Sequence, residues 1–425
     1  MHKNTSDAAE VLTNQSKIQD WQEDLYRTLH QHPELGHQEI HTAAKIAEEL
    51  RNDGFEVHDQ IGSTGVVGVL HNGDGPVVLM RADMDALPVE EATGLPYASS
   101  EHTTDQDGHE VPVMHACGHD VHVSCLLGAA RLLSQQTDAW SGTYIALFQP
   151  AEELANGAQT MVDGGLADLI PKPDVAFGQH VLALPAGQVG TRPGPFLSSG
   201  DSMRVTVWGR GSHGSMPQQS VDPVVLASSI VMRLQTIVSR EVTPGEFAVL
   251  TIGSIQAGSK SNIISDHAVL ELNIRTFSDA TRQTILNAIR RIVEAECQAS
   301  GSPKPSTFEL YDQYPLTDND ADTTSVVADA FSAYFGDDAA TIGQQSASED
   351  FSHLPEALGV PYTYWAIGGI DPEQYAKAAE AGTVSSEIPA NHSPSFAPVI
   401  EPTLETGTAT AVVAAMAWLG KNTKA

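Results

Sequence analysis

The chain has 425 residues, 41% hydrophobic and 18% charged, a globular composition on a chain too long for one simple core, so two domains are expected. Lys and Arg number 22 against 54 Asp and Glu, and the net charge of −32 repels nucleic acid and anionic membranes, which excludes both as expected partners. The apolar runs are strand-length, the opening MHKNTSDAAEVLTNQ is polar without a signal-peptide core, and Cys117, Cys125 and Cys297 lack disulfide spacing, so a reducing cytoplasm is expected; the acidity also fits a salt-adapted host.

Taken in chain order, DWQEDLYRTLHQHPELG and EIHTAAKIAEELRNDG carry apolar residues at helical spacing, the second closed by Gly54. GVVGVL and PVVLMRADMD are β-branched runs of buried-strand type. DVHVSCLLGAARLLSQQ reads as a helix opened by Asp120, TYIALFQPAEE as a strand entering a loop, and DVAFGQH as a further strand. This alternation predicts an α/β domain, a mainly parallel sheet flanked by helices. Near residue 200 the order becomes βαββαβ: SMRVTVWG, then VDPVVLASSIVMRLQTIVSRE, EFAVLTIGSIQAG, AVLELNIRTFS, DATRQTILNAIRRIVEAECQASG and STFELYDQYP. That is a ferredoxin-like unit, framed by the turn-rich TRPGPF and YPLTDND, and so expected as an inserted domain. The expected division is 1–195 and 311–425 for the catalytic domain and 196–310 for the inserted one. Helix and strand signals resume in TTSVVADAFSAYFG and VPYTYWAIGG, and the last helix is PTLETGTATAVVAAMAWLG.

Residues 114–122, MHACGHDVH, concentrate ligand chemistry. Cys117 and His119, two apart, converge only from a loop, and a loop just before a helix would aim both at one point. A lone Cys-x-His is more often a buried thiol beside satisfied histidines than a metal site. Three other segments shift that balance: Glu152 and Glu153 end one strand, His180 ends the next, and His392 sits in a late loop. In α/β sheets the carboxyl ends of strands are where sites form. If Glu153 binds metal, its neighbour Glu152 is free to face a water and move its proton. Asp83 and Asp85 alternate in RADMDALP; either is a direct ligand or a hydrogen-bond acceptor that orients a metal-bound histidine, and the second role is preferred for Asp85.

Together HQHPELGHQE, RADMDALP, MHACGHDVH, FQPAEE, GSHGSMP and NHSPSF resemble the amidohydrolase branch of the di-metal aminoacylase and carboxypeptidase family, over roughly residues 16 to 420. That branch includes hippurate hydrolases, N-acyl-amino-acid hydrolases and auxin-conjugate hydrolases. The resemblance implies a di-metal catalytic domain with an inserted ferredoxin-like lid that also dimerises. It implies that Cys117 bridges the two metals where the wider family has a carboxylate. His119 and His180 then complete one metal's shell, Glu153 and His392 the other's, and Glu152 is general base and acid. His115 and His122 have no ligand counterpart and are expected to support the helix start. His213, in the glycine-rich GRGSHGSMP, matches a lid histidine that stabilises the oxyanion, commonly from the neighbouring subunit. Asn262 and Arg275 match lid positions that hold the substrate carboxylate, and Glu349 and Asp350 of SASEDFS match residues that brace the site.

The expected activity is metal-dependent cleavage of an N-acyl amino acid by a hydroxide held between two divalent ions, zinc or manganese first, nickel or cobalt next. A homodimer through the lid is the expected assembly. Two other readings stand beside it: a thiol hydrolase with Cys117 as nucleophile and His119 as base, and a metal- or ligand-binding protein on the same scaffold without catalysis. Activity in a chelator separates the first, and the extra carboxylate of Glu152 argues against the second.

Overall fold

The computed structural model describes residues 4–421, in two compact units. The first comprises residues up to 194, Asp318–Gly343 and 350 onward; the second comprises Pro195–Thr317 and Gln344–Glu349.

The first unit is built on an eight-stranded sheet. Its order is Glu56–Ile61, Gly65–Asn72, Gly142–Gln149, Val77–Asp83, Val175–Pro185, Tyr362–Ile370, Val189–Thr191 and Ala339–Thr341. From Gly142–Gln149 to Tyr362–Ile370 neighbours run parallel. Antiparallel pairing is confined to the flanks, where Glu56–Ile61 and Gly65–Asn72 add on one side and Val189–Thr191 on the other. Gly142–Gln149 and Tyr362–Ile370 are buried along their whole length, as central strands covered on both faces must be. The helix His119–Gln135 packs against Gln15–Gln31 and Ile400–Leu419, and nearly all of its residues are buried. Trp140, Trp365, Phe148, Phe177 and Phe331 are fully buried in this core, each contributing about 1.5–3 kcal/mol. The helix begins at His119, one residue before the position read from the sequence. Asp120 does not cap it; that carboxylate bonds His30, 90 residues away.

The second unit has the order βαββαβ: Ser199–Trp208, Pro223–Arg240, Ala248–Ala257, His267–Thr276, Asp279–Ser300 and Thr307–Tyr314. Its four strands are all antiparallel, with Ser199–Trp208 and His267–Thr276 in the middle and Ala248–Ala257 at one edge. Met203, Val205, Leu270, Leu272 and Ile274 alternate with polar residues and pack on Leu226, Ile230, Ile285 and Ile289 of the helices. Local chemistry sets the helix ends. Asp222 accepts the Val224 and Val225 amides ahead of Pro223, Ser278 accepts the Thr281 amide, and Gly301 takes the left-handed turn that closes the long helix. Among the described residues no helix is long and apolar enough to cross a membrane.

Candidate metal centre

The parallel strands of the first unit deliver their carboxyl ends to one place. Val77–Asp83 leads into Asp85, Gly142–Gln149 into Glu152 and Glu153, and Val175–Pro185 carries His180. The loop before His119–Gln135 adds Cys117. It turns at Gly118, with φ of +84°, where a Cβ would stand 2.4 Å from Val181 Cγ1, so only glycine brings the thiol this close to the strand. Donor atoms of Cys117, His119 and Glu153 lie within 4.8 Å of one another. His180 Nε2 is 3.5 Å from Cys117 Sγ, and His392 Nε2 is 3.3 Å from Glu153 Oε1. His392 has a positive φ of 70°, and its amide donates to the Ala116 carbonyl at 2.8 Å.

Backbone carbonyls fix which ring nitrogen faces the cluster. His119 Nδ1 sits 2.9 Å from the Asp85 carbonyl oxygen, and His180 Nδ1 sits 2.8 Å from that of Val181. A carbonyl only accepts, so both rings carry a proton on Nδ1 and turn Nε2 inward; the His180 Nε2 is a lone pair, and the His119 Nε2 becomes one when a cation takes the place of the proton that the surrounding carboxylates favour. His119 Nε2 and Glu153 Oε1 are buried without a hydrogen-bond partner. Such groups are costly in a folded protein unless something else satisfies them, and a divalent cation does so. A second grouping, Asp83, His119, His122 and His180, also has donor atoms close enough for an ion. It is excluded by its hydrogen bonds. His122 Nε2 accepts the Val181 amide at 2.8 Å and its Nδ1 bonds Asp83, whose other oxygen takes Arg81 at 2.7 Å. His122 and Asp83 therefore hold the His180 strand in position.

Asp85 serves two neighbours. Its carboxylate faces His119 Nδ1 at 3.2 Å and accepts the Glu153 amide at 3.0 Å. One side chain thus orients an imidazole and the turn that carries a carboxylate donor. Asn391, which the sequence did not single out, donates to the Cys117 and Val181 carbonyls at 3.1 and 3.0 Å and ties the late loop to both donor segments. Its only signal was its place beside His392. Asp350 accepts from Gln149 at 2.6 Å and from the Ala158 amide at 3.0 Å, bracing the end of the central strand.

The electrostatics call for positive charge. Burial lowers the His119 pKa, but Asp83, Asp85 and Glu153 outweigh it and push it up to about 10. Burial raises the Cys117 thiol well above its ordinary value, with Glu153, Glu152 and Asp83 adding to it, so without a cation the thiol stays protonated and is a poor nucleophile. His180 is held neutral by burial and by His122 beside it. Cys125, by contrast, is a core residue whose thiol faces the Leu404 carbonyl. His115 is fully buried with both ring nitrogens unpartnered, and burial lowers its pKa to about 4.

The other predicted residues belong to the second unit. His213 lies on a two-residue strand paired with Ile263–Ile264, and the Gly214 amide donates to the Asn262 carbonyl at 2.8 Å, so His213 and Asn262 occupy one loop pair. His213 Nδ1 accepts the Ser215 amide at 3.2 Å and lies 2.7 Å from the Ser215 hydroxyl. Arg275 is on the His267–Thr276 strand, where its Nε donates to Asn273 at 3.0 Å and its guanidinium bonds Ser348.

Residues 79–388 match the peptidase family M20/M25/M40. The chain is 34% identical over 370 residues to the N-acetylcysteine deacetylase of Bacillus subtilis, covering 85% of this chain and 93% of that one. It is 36% identical over 346 residues to the hippurate hydrolase of Campylobacter jejuni, covering 80% and 87%. The crystal structure of a dinuclear metal binding peptidase from Bacillus subtilis superposes with a TM-score of 0.75 at 29% identity, covering 94% of this chain and 98% of that one. The chain belongs to the peptidase family M20/M25/M40 and is one of its metal-dependent amidohydrolases.

Proposed function

We propose that this enzyme hydrolyses N-acyl amino acids to a carboxylic acid and a free amino acid at a centre of two divalent ions. Cys117, with His119 and His180 on one side and Glu153 and His392 on the other, would hold the two ions. The observation that supports this most is the convergence of the Cys117 thiol, the unpartnered His119 Nε2 and the unpartnered Glu153 Oε1, with Glu152 next in the chain. The names of the relatives support the substrate class. Two divalent ions held there would supply Lewis-acid polarisation of the amide carbonyl and a lowered pKa for the attacking water. Glu152, almost fully buried, takes the proton of the attacking water and returns it to the leaving nitrogen. His213 donates to the carbonyl oxygen as charge develops on it, and Asn262 and Arg275 hold the substrate carboxylate. Zinc or manganese is the preferred metal, zinc because a thiolate with imidazoles suits a borderline ion and manganese, a harder ion, because carboxylates stand beside them, with nickel or cobalt next.

The second unit also supports a twofold dimer. On its helix Pro223–Arg240, Val225 and Met232 are 62% and 71% exposed, and Ile255 on the edge strand is 48% exposed. Pairing two such surfaces covers the apolar patch and the open edge together. Three free, buried thiols fit a cytoplasmic setting.

The test is a panel of N-acetyl, N-benzoyl and long-chain acyl amino acids, assayed after chelation and again after adding each metal. Hydrolysis that disappears in chelator and returns with metal is expected. Activity untouched by thorough chelation, or no hydrolysis of any member under any metal, overturns the reading.

A further inference from the structure

The segment HQHPELGHQE supplies none of the donors above, yet it reaches the site from 112 residues away in sequence. Glu39, at the start of helix Ile40–Asn52, is fully buried. Its carboxylate accepts the Ala151 amide at 2.8 Å through one oxygen and the Thr64 hydroxyl at 2.6 Å through the other. Ala151 is the residue before Glu152 and is held in the left-handed region, φ 48° and ψ 41°, which a residue with a Cβ adopts only at a cost. That turn ends the central strand and makes the chain double back, since the Gly157 amide returns to the Ala151 carbonyl at 3.2 Å.

The same segment meets the turn at two further points and the loop carrying Asp85 at a third. A Cβ on Gly36 would stand 3.1 Å from Ala151 Cα and 2.9 Å from Leu154 Cδ1, so a glycine lets the two loops close on each other. His37 Nε2 is 2.9 Å from Asn156 Oδ1. The Glu34 carbonyl accepts the Ala86 amide at 2.8 Å, next to Asp85, which in turn holds the Glu153 amide. Glu39 and Asp85 therefore grip the turn on either side of Glu152, one at residue 151 and one at residue 153.

We infer that Glu39 is a positioning residue for Glu152: by anchoring the Ala151 amide it keeps the turn in the conformation that sends two adjacent carboxylates in different directions, one to the metal and one to the reacting water. This rests on the reading of Glu152 as general base. Glu39 touches neither substrate nor metal in this account, and its effect passes wholly through the turn. A displaced general base costs rate without costing binding, so the loss falls on kcat.

The test is a double-mutant cycle on the manganese-loaded enzyme, with N-benzoylglycine and N-acetylmethionine as probes. Glu39→Ala lowers kcat by about ten- to a hundredfold, with KM within about threefold and metal content unchanged. In the Glu152→Gln background the same change has no further effect, because the group it positions is gone. Glu39→Gln still offers an oxygen to the Ala151 amide and stays within about threefold of wild type. Gly36→Ala, which pushes the turn from the other side, repeats the Glu39→Ala signature and keeps the test open if Glu39→Ala does not fold. Losses that multiply across the cycle, or a Glu39→Gln protein as slow as Glu39→Ala, overturn the inference alone. A Glu152→Gln protein as fast as wild type overturns the general-base reading and the inference with it.

Discussion

Histidine appears in the two units in opposite chemical forms. In the first unit, backbone carbonyls take the Nδ1 protons of His119 and His180, so each ring turns inward the Nε2 that can give a lone pair to a cation. In the second, the backbone amide of Ser215 donates to His213 Nδ1, so that ring carries its proton on Nε2 and offers an N–H. A lone pair binds a cation, and an N–H stabilises an oxyanion. One backbone partner per ring, carbonyl or amide, separates the two roles. The surroundings differ as well: His119 is buried at a helix start and His180 is half-buried within a sheet strand, whereas His213 is exposed and stands on a short loop strand.

The largest effect comes from emptying the cation site. Cys117→Ser replaces a thiolate by a hydroxyl that bridges metals poorly at neutral pH. We expect metal content near zero and activity down by about four orders of magnitude or more. Atomic emission on the purified protein reads the metal directly, and a serine variant with full metal and full rate removes Cys117 from the centre. Glu152→Gln follows: metal is retained and kcat falls by about 10²- to 10⁴-fold. Loss of metal in that variant exchanges the roles of Glu152 and Glu153.

The other side of the comparison breaks with His213→Ala. With His213 in its proposed role as oxyanion donor, its removal lowers kcat by about 10²- to 10³-fold and leaves the metal untouched. Subunit exchange with Glu152→Gln then locates the donor. Activity regained in mixed dimers places His213 across the interface, and verified exchange without recovery places it in its own chain's site. Asp85→Ala has a smaller effect on the metal itself. It frees the His119 ring and the Glu153 amide together, and metal affinity weakens by about 10- to 100-fold, as read in a competition titration with a chromophoric chelator. Unchanged affinity would mean that the Asp85 carbonyl alone holds the ring.

The side chains that converge at the candidate centre were legible in the sequence because cysteine, histidine and glutamate beside successive strands are chemically distinctive, and strands are readable from β-branched runs. What surrounds them was less legible. His119 and His122 share a helix face, and only the hydrogen bonds show that the second ring is already occupied at both nitrogens. Asp120 looked like a helix opener because aspartate commonly is one, yet its partner comes from another helix. Glu39 closes the motif HQHPELGHQE, but nothing there gave it a role, since a buried carboxylate looks like any surface glutamate until its partner 112 residues away is known. The flanking strands Glu56–Ile61, Val189–Thr191 and Ala339–Thr341 escaped for a different reason. They are short, and the first is largely exposed, so they lack the apolar runs that mark central strands.

His30 is an imidazolium by its surroundings, away from the proposed metal centre. Its Nδ1 bonds Asp120 at 2.6 Å and its Nε2 bonds Glu91 at 3.1 Å, both carboxylates buried with it. Burial lowers its pKa, but the two carboxylates outweigh burial and raise it to about 10, while Asp120 and Glu91 are themselves held below their ordinary values. Tyr26 and Tyr97 pack on the ring and supply no positive charge. A histidine raised in the folded state contributes its full stability below the unfolded pKa of about 6.5 and loses it as pH rises through about 10. The paired carboxylates contribute above their unfolded values near 4 and lose their contribution as pH falls through their lower folded ones. Wild-type melting temperature should therefore fall between pH 6.5 and 10. His30→Gln cannot ionise, so that variant starts lower by a few degrees and declines less steeply across the same window. Thermal melts at pH 6, 8 and 10 make the comparison, and wild-type and variant curves that run parallel would mean that the ring is neutral in the folded protein.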